Sequence, residues 1–241
     1  MNNLICISTG ADYKMSEDMN RKIELLKEFC ADGIELCFAD SQALIDFKIT
    51  DENLYYLKSL KWVSIHAPWI GIRYGRNQRT DEVVKSMRYL SDLIDAKNVV
   101  FHGNFADDFS FFLNCDFTYS IENSDWRYSF HTVLEMEKLL AESDNYKFTF
   151  DFAHALTVNS SDVSVYMSRL KDRMIQVHLS YLDKQLPDHW FLHKHDSVEM
   201  RNLLSPLKDL DVPIVLECVA ANESELPMIK DEIEYVREVF S

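Results

Sequence analysis

Residues 147–154 read KFTFDFAH. A short β-rich apolar run ends in an acid, Asp151, and a histidine, His154, follows one helical turn later. The same grammar recurs along the chain. LICIS (4–8), GIELCF (33–38), WVSIH (62–66), NVVFH (98–102), FTYSIE (117–122), KFTFDF (147–152), MIQVHL (174–179) and PIVLEC (213–218) form eight strand candidates, nearly all continuously apolar before they end. Strands buried on both faces read this way. Longer amphipathic stretches separate them, and strands alternating with helices predict a parallel sheet built from βα units.

The helical stretches include EDMNRKIELLKEFC (17–30) and TDEVVKSMRYLSDLID (80–95), the latter expected to start at Thr80 with Asp81 and Glu82 in its first turn. The connection from His102 to Glu122 has space only for a small helix around DDFSFFLN, and a last helix is expected near 223–240. Eight βα repeats in 241 residues predict an α/β fold, a single (β/α)8 TIM barrel spanning 1–241 as one domain.

Composition narrows the classes of function. Hydrophobic residues make up 47% of the chain, and 5 Gly with 5 Pro leave little material for long linkers. No apolar run has membrane-spanning length, and MNNLICISTG lacks the pattern of a secretory leader, so a cytoplasmic protein without a membrane partner is expected. Cys6, Cys30, Cys37, Cys115 and Cys218 are odd in number and lack CxxC spacing, which predicts reduced thiols. A net charge of -15 disfavours nucleic acid as a partner, because phosphate backbones are gathered by Lys and Arg. Oligomeric state is not encoded in any of these patterns.

The chemistry is concentrated at the strand ends, where Ser8, Glu35, His66, His102, Glu122, Asp151, His178 and Glu217 stand. In a closed barrel these ends converge on one face. Buried acids and imidazoles there need mutual hydrogen bonds, protonation or a cation. A His, Asp and Glu set without clustered Cys suits Zn²⁺ or Mn²⁺, and the alternative is a metal-free ring of hydrogen bonds. His154 and His189 are placed to add ligands or to contact substrate. Trp69 and Ile70 follow His66 as a candidate apolar wall, and Arg73, Arg76 and Arg79 in IRYGRNQR (72–79) form a local basic cluster. Glu35 could orient a neighbour or meet substrate, and Lys184 could contact an anion. Each of these also has a plain structural reading.

The runs GIEL, SIHAPW, NVVFHGN, SIEN, FDFAH, QVHL, DHWFL and VLE, in this order, resemble the strand-end motifs of the xylose isomerase-like TIM-barrel superfamily. That superfamily includes sugar isomerases, sugar epimerases and endonuclease IV. By resemblance, Glu122, Asp151, His178 and Glu217 would hold one divalent ion, as in the epimerases, with Glu122 and Glu217 as the acid-base pair. The resemblance to endonuclease IV, a three-zinc enzyme, carries further ligands onto His66, His102, His154 and His189. There the family's Asp position is occupied by Pro187, with Asp188 as a neighbouring substitute.

Three functions follow as expectations. The first is a metal-dependent isomerase or epimerase of a sugar or sugar phosphate, with Glu35, Trp69, Arg73, Arg76, His154, Lys184 and His189 as candidate substrate contacts. The second is zinc-dependent phosphodiester hydrolysis at abasic DNA. The third is a metabolite-binding barrel without turnover.

Overall fold

The computed structural model describes residues 3–185 and 188–241. Eight parallel strands close into a barrel in chain order: β1 (Ile5–Ser8), β2 (Gly33–Cys37), β3 (Trp62–His66), β4 (Asn98–His102), β5 (Tyr119–Glu122), β6 (Lys147–Asp151), β7 (Met174–Leu179) and β8 (Ile214–Leu216). β8 pairs with β1, which leaves no open edge. Gly33 opens β2 because a Cβ there would lie 2.3 Å from the Trp62 carbonyl oxygen on β3.

Nine α-helices are described: α1 (Met19–Leu26), α2 (Ser41–Asp46), α3 (Asp51–Ser59), α4 (Gln78–Ile94), α5 (Val133–Leu140), α6 (Phe152–Val158), α7 (Asp162–Leu170), α8 (Val198–Leu204) and α9 (Pro227–Val239). Thus β2 and β6 are each followed by two helices, while β4 is followed by the short 3-10 turns Gly103–Phe105 and Phe109–Asn114. α4 starts at Gln78, ahead of the expected Thr80, because the Asn77 side chain caps it by accepting the Thr80 N–H. Thr80 Oγ1 instead accepts the Gly75 N–H at 3.0 Å and ties down the preceding loop. No helix is long and apolar enough to cross a membrane, among the described residues.

The strands are buried on both faces, but their two faces differ in chemistry. Val63, Ile65, Val99, Phe101, Ile121, Phe148, Phe150, Val177 and Leu179 belong to the apolar core between sheet and helices. The alternate residues turn into the lumen, where polar groups join the apolar Cys6, Val100 and Val215. Ser64 Oγ donates to Glu35 at 2.8 Å, and Gln176 Nε2 on β7 reaches Glu35 on β2 at 2.6 Å, across the barrel. Asn98 donates to Ser120 at 2.8 Å, and Ser120 meets Thr149 at 2.6 Å. The strands are buried on both faces, as their apolar runs imply, and the inward positions of the period-2 alternation carry most of their polar groups.

Candidate metal and acid-base site

Two residues beyond this lumen floor, the pleat brings the next inward side chains to the C-terminal mouth: His66 after Ser64, Glu122 after Ser120, Asp151 after Thr149 and His178 after Gln176. His102 ends β4, and Glu217 follows the last residue of β8. Glu35 departs from the expectation for it. It sits in the middle of β2, fully buried beneath the mouth, because the strand continues to Cys37.

Glu122 is the hub. Its Oε1 lies 2.9 Å from His178 Nδ1, and its Oε2 lies 3.3 Å from His66 Nε2 and 3.1 Å from His102 Nδ1. His178 Nδ1 is also 3.4 Å from Glu217 Oε1, and the other ring nitrogen faces Glu35 Oε1 at 3.3 Å. Ligand atoms of Glu122, Asp151, His178 and Glu217 all lie within 4.8 Å of one another. The sets His66, His102, Glu122 and His66, His178, Glu217 meet the same limit.

Backbone contacts fix the orientation of these groups. Asn123, next to Glu122, donates to the Asp151 carbonyl at 2.9 Å and accepts the Asp151 N–H at 2.8 Å, locking the ends of β5 and β6 together. Asp151 Oδ1 caps α6 by accepting the His154 N–H at 2.6 Å. His154 Nδ1 donates to the Asn123 carbonyl at 2.8 Å, so in the neutral ring Nε2 is the bare nitrogen. His66 repeats the device through the Ala67 carbonyl at 3.1 Å, and Ser180 Oγ meets His189 Nδ1 at 2.7 Å. Asn123, Ser180 and Gln176 are not singled out by sequence reasoning, although polar residues one after Glu122 and two before and two after His178 are visible in SIEN and QVHLS.

The electrostatics are those of a crowded buried cluster. Burial would raise the Glu122 carboxyl, but the charges of His102 and His178 and its hydrogen bonds to imidazole hold it well below its ordinary range. Burial opposes charge on His178 as well, yet Glu217, Glu35 and Glu122 together raise it well above normal. Burial, with Glu122 and Asp151 nearby, pushes Glu217 well up despite His178. Burial also lifts Asp151 to about 6 and lowers His102 and His189 to about 3.

The donor set fits a divalent cation. Asp151 Oδ2 and Glu35 Oε1 are buried with no hydrogen-bond partner. In the neutral tautomer, His66 aims a bare Nε2 at the Glu122 carboxylate, an acceptor facing an acceptor. A proton or a positive ion resolves both conflicts. Oxygen and imidazole donors without thiolates suit Zn²⁺ or Mn²⁺.

Part of the cluster opens onto a cavity of about 500 Å³ lined by His66, His102, His154, His189 and Glu217 together with Ser8, Tyr13, Lys22, Cys37, Trp69 and Val219, among others. Trp69 stands edge-on to His66 and His102, with ring centres 5.2 and 5.4 Å apart, as a half-buried wall. The expected basic contacts are engaged elsewhere. Arg73 pairs with Asp107 at 2.5 Å, Arg76 with Asp108 at 3.0 Å, and the Lys184 ammonium lies 5.4 Å from the Trp126 ring centre. Pro187 lies outside the described residues. Asp188 lines the cavity, and its oxygens accept from Tyr13 Oη at 3.1 Å and Lys14 Nζ at 2.6 Å, bridging the loops after β1 and β7.

A closed parallel barrel of eight strands with helices between them is a (β/α)8 TIM barrel. Among solved structures, 99% of the chain superposes on 100% of a D-tagatose 3-epimerase-like protein, with TM-score 0.67 and 18% identity. Endonuclease IV from Thermus thermophilus matches over the same shares with TM-score 0.67 and 13% identity. A probable 3-DHS dehydratase from Bacillus anthracis matches over 98% of both chains, with TM-score 0.73 and 14% identity. At these identities the likeness establishes the fold. No family model and no curated protein matches the sequence.

Proposed function

We propose that the chain is a divalent-metal-dependent isomerase or epimerase of a sugar or sugar derivative. The observation that carries this reading is the convergence of Glu122, Asp151, His178 and Glu217 within 4.8 Å of one another, with Glu217 opening onto a cavity at the barrel mouth. These four would hold the ion. A divalent ion bound there acts as a Lewis acid that makes the C–H bond beside a substrate carbonyl easier to ionise.

The proton transfers belong to the two glutamates. Glu122 and Glu217 stand at the ends of the arc formed by β5 to β8, with Asp151 and His178 between them. One carboxylate takes the proton from carbon and the other returns it, which inverts the centre or moves the carbonyl. His154 and His189 line the same cavity and would contact substrate hydroxyls, while Trp69 would pack on the carbon skeleton. Glu35 would act from beneath by orienting His178. The D-tagatose 3-epimerase-like and L-ribulose 3-epimerase structures supply the analogy for this chemistry. Incubation of the metal-loaded protein with ketoses and aldoses, free or phosphorylated, in D₂O should exchange one carbon-bound proton. If no sugar exchanges, the isomerase reading is lost.

A second reading is favoured by the two further ligand groupings that include His66 and His102. With His154 and His189 added, these residues would hold additional zinc for phosphodiester hydrolysis, and Arg73 and Arg76 would face the backbone. About three zinc ions per chain and cleavage of an abasic duplex at low salt would support it. One ion per chain and an intact duplex support the isomerase.

A further inference from the structure

The cavity has a second chemical feature away from the cluster. Lys22, on α1, is 8% exposed and its side chain lines the cavity with Ser8, Cys37 and Glu217. It is the one Lys or Arg in that lining, among the described residues. Lys14 is engaged by Asp188, and Arg73 and Arg76 by Asp107 and Asp108. The Lys22 ammonium makes no hydrogen bond or ion pair with the described protein groups.

Asp12, an acid on which the Lys22 charge acts, makes no hydrogen bond to it. Asp12 is fully buried with neither carboxylate oxygen hydrogen-bonded, and burial lifts it to about 7 against the pull of Lys22. A tight ion pair would draw such a carboxyl below its ordinary value. Most of the Lys22 side chain is buried and its ammonium faces the cavity without a protein counter-charge, so an anion entering that space would supply one. The cavity is where Lys22 meets space that a ligand enters.

We propose that Lys22 is the anchor for an anionic group of the substrate, a carboxylate or a phosphate, so that the cavity takes a sugar acid or a sugar phosphate. This rests on the isomerase reading for the sugar, but the anchor itself does not. The anion would sit on the β1–β2 side of the cavity, against Lys22 and the Ser8 and Gly10 segment, leaving the reacting carbon over Glu122 and Glu217. The role is one of binding and selection between charged and neutral sugars.

The test uses metal-free wild-type protein, titrated with inorganic phosphate and, separately, with malonate, by calorimetry. Binding of phosphate alone identifies a phosphate anchor, malonate alone a carboxylate anchor, and both the shared chemistry. Lys22→Met, which keeps the length of the side chain, should weaken the bound anion at least tenfold. Binding of neither anion by wild type, or equal binding by the variant, overturns the proposal and assigns any anion to the histidines. Should Lys22→Met fail to fold, acetic anhydride labelling of wild type read by mass spectrometry serves instead. The anion should slow acetylation of Lys22 at least fivefold while leaving Lys184 unchanged, and unslowed labelling overturns the anchor. Neither measurement involves metal or turnover. Anion binding without any D₂O exchange would sink the isomerase and leave the anchor, and exchange without anion binding the reverse.

Discussion

Glu232, on α9, and Asp151, at the end of β6, are both acids removed from water. Glu232 accepts the Leu192 N–H at 2.7 Å, the His193 N–H at 2.9 Å and the His193 ring at 2.6 Å, so both oxygens are used. Asp151 uses Oδ1 on the His154 N–H and leaves Oδ2 with no hydrogen bond. Burial alone therefore does not distinguish a working acid from a structural one. Unused bonding capacity separates these two, because a buried carboxylate oxygen without a donor costs free energy that a proton or a ligand cation recovers. Glu232 fastens the loop that carries His189 onto the last helix, whereas Asp151 keeps one oxygen without a donor beside Glu122, His178 and Glu217.

Four measurements would sharpen or break this contrast. The largest effect is expected for Glu122→Gln, which removes a proton-transferring carboxylate and should lower D₂O exchange by about 10³-fold. Its far-ultraviolet circular dichroism should match wild type, and retained exchange would remove Glu122 from the chemistry. Glu232→Ala strips three donors of their acceptor and should cost about 3 kcal/mol in urea unfolding. A cost near zero would mean that the clasp contributes nothing.

Asp151→Asn should behave in the opposite sense in metal-free protein. The Asn can still cap α6, and it carries no charge to desolvate. The folded Asp151 value is raised from 3.8 to about 6, so its contribution to stability is fully present below about pH 4 and is lost as pH rises through 6. The metal-free variant should therefore overtake wild type across that window, by on the order of 2 kcal/mol at pH 8. Added Mn²⁺ or Zn²⁺ should reverse the order, since wild type gains a bound ion and the variant has lost a ligand. A wild type more stable than Asp151→Asn without metal at pH 8 would break the comparison. The smallest change is expected at the exposed pair of Arg169 and Glu137, 2.9 Å apart, where Arg169→Ala should shift stability by no more than about 0.5 kcal/mol in the same assay.

Much of this was legible along the chain. The eight strands fall within a residue or two of their expected bounds, since β-rich runs closed by a polar residue mark both the strand and its end. Glu122, Asp151, His178 and Glu217 stood among eight polar strand ends, and the resemblance to the epimerases singled out these four. Asn123, Ser180 and Gln176 did not stand out, because a neutral polar residue carries no sign of the partner that it will find. Lys22 was equally silent: on an amphipathic helix a lysine reads as solvated, and only the cavity beside α1 shows that it is not.

From sequence alone came the order of the elements, the closed parallel architecture and the kinds of donor at the mouth, all of which depend on local pattern and residue type. Tertiary structure decided which face of each strand turns inward, that Glu35 lies beneath the mouth, that Asp188 is spent on Lys14 and Tyr13, and that Lys22 is left unpaired. These are matters of distance between residues far apart in the chain, and barrel closure sets such distances through strand register and pleat, which no short stretch of sequence contains.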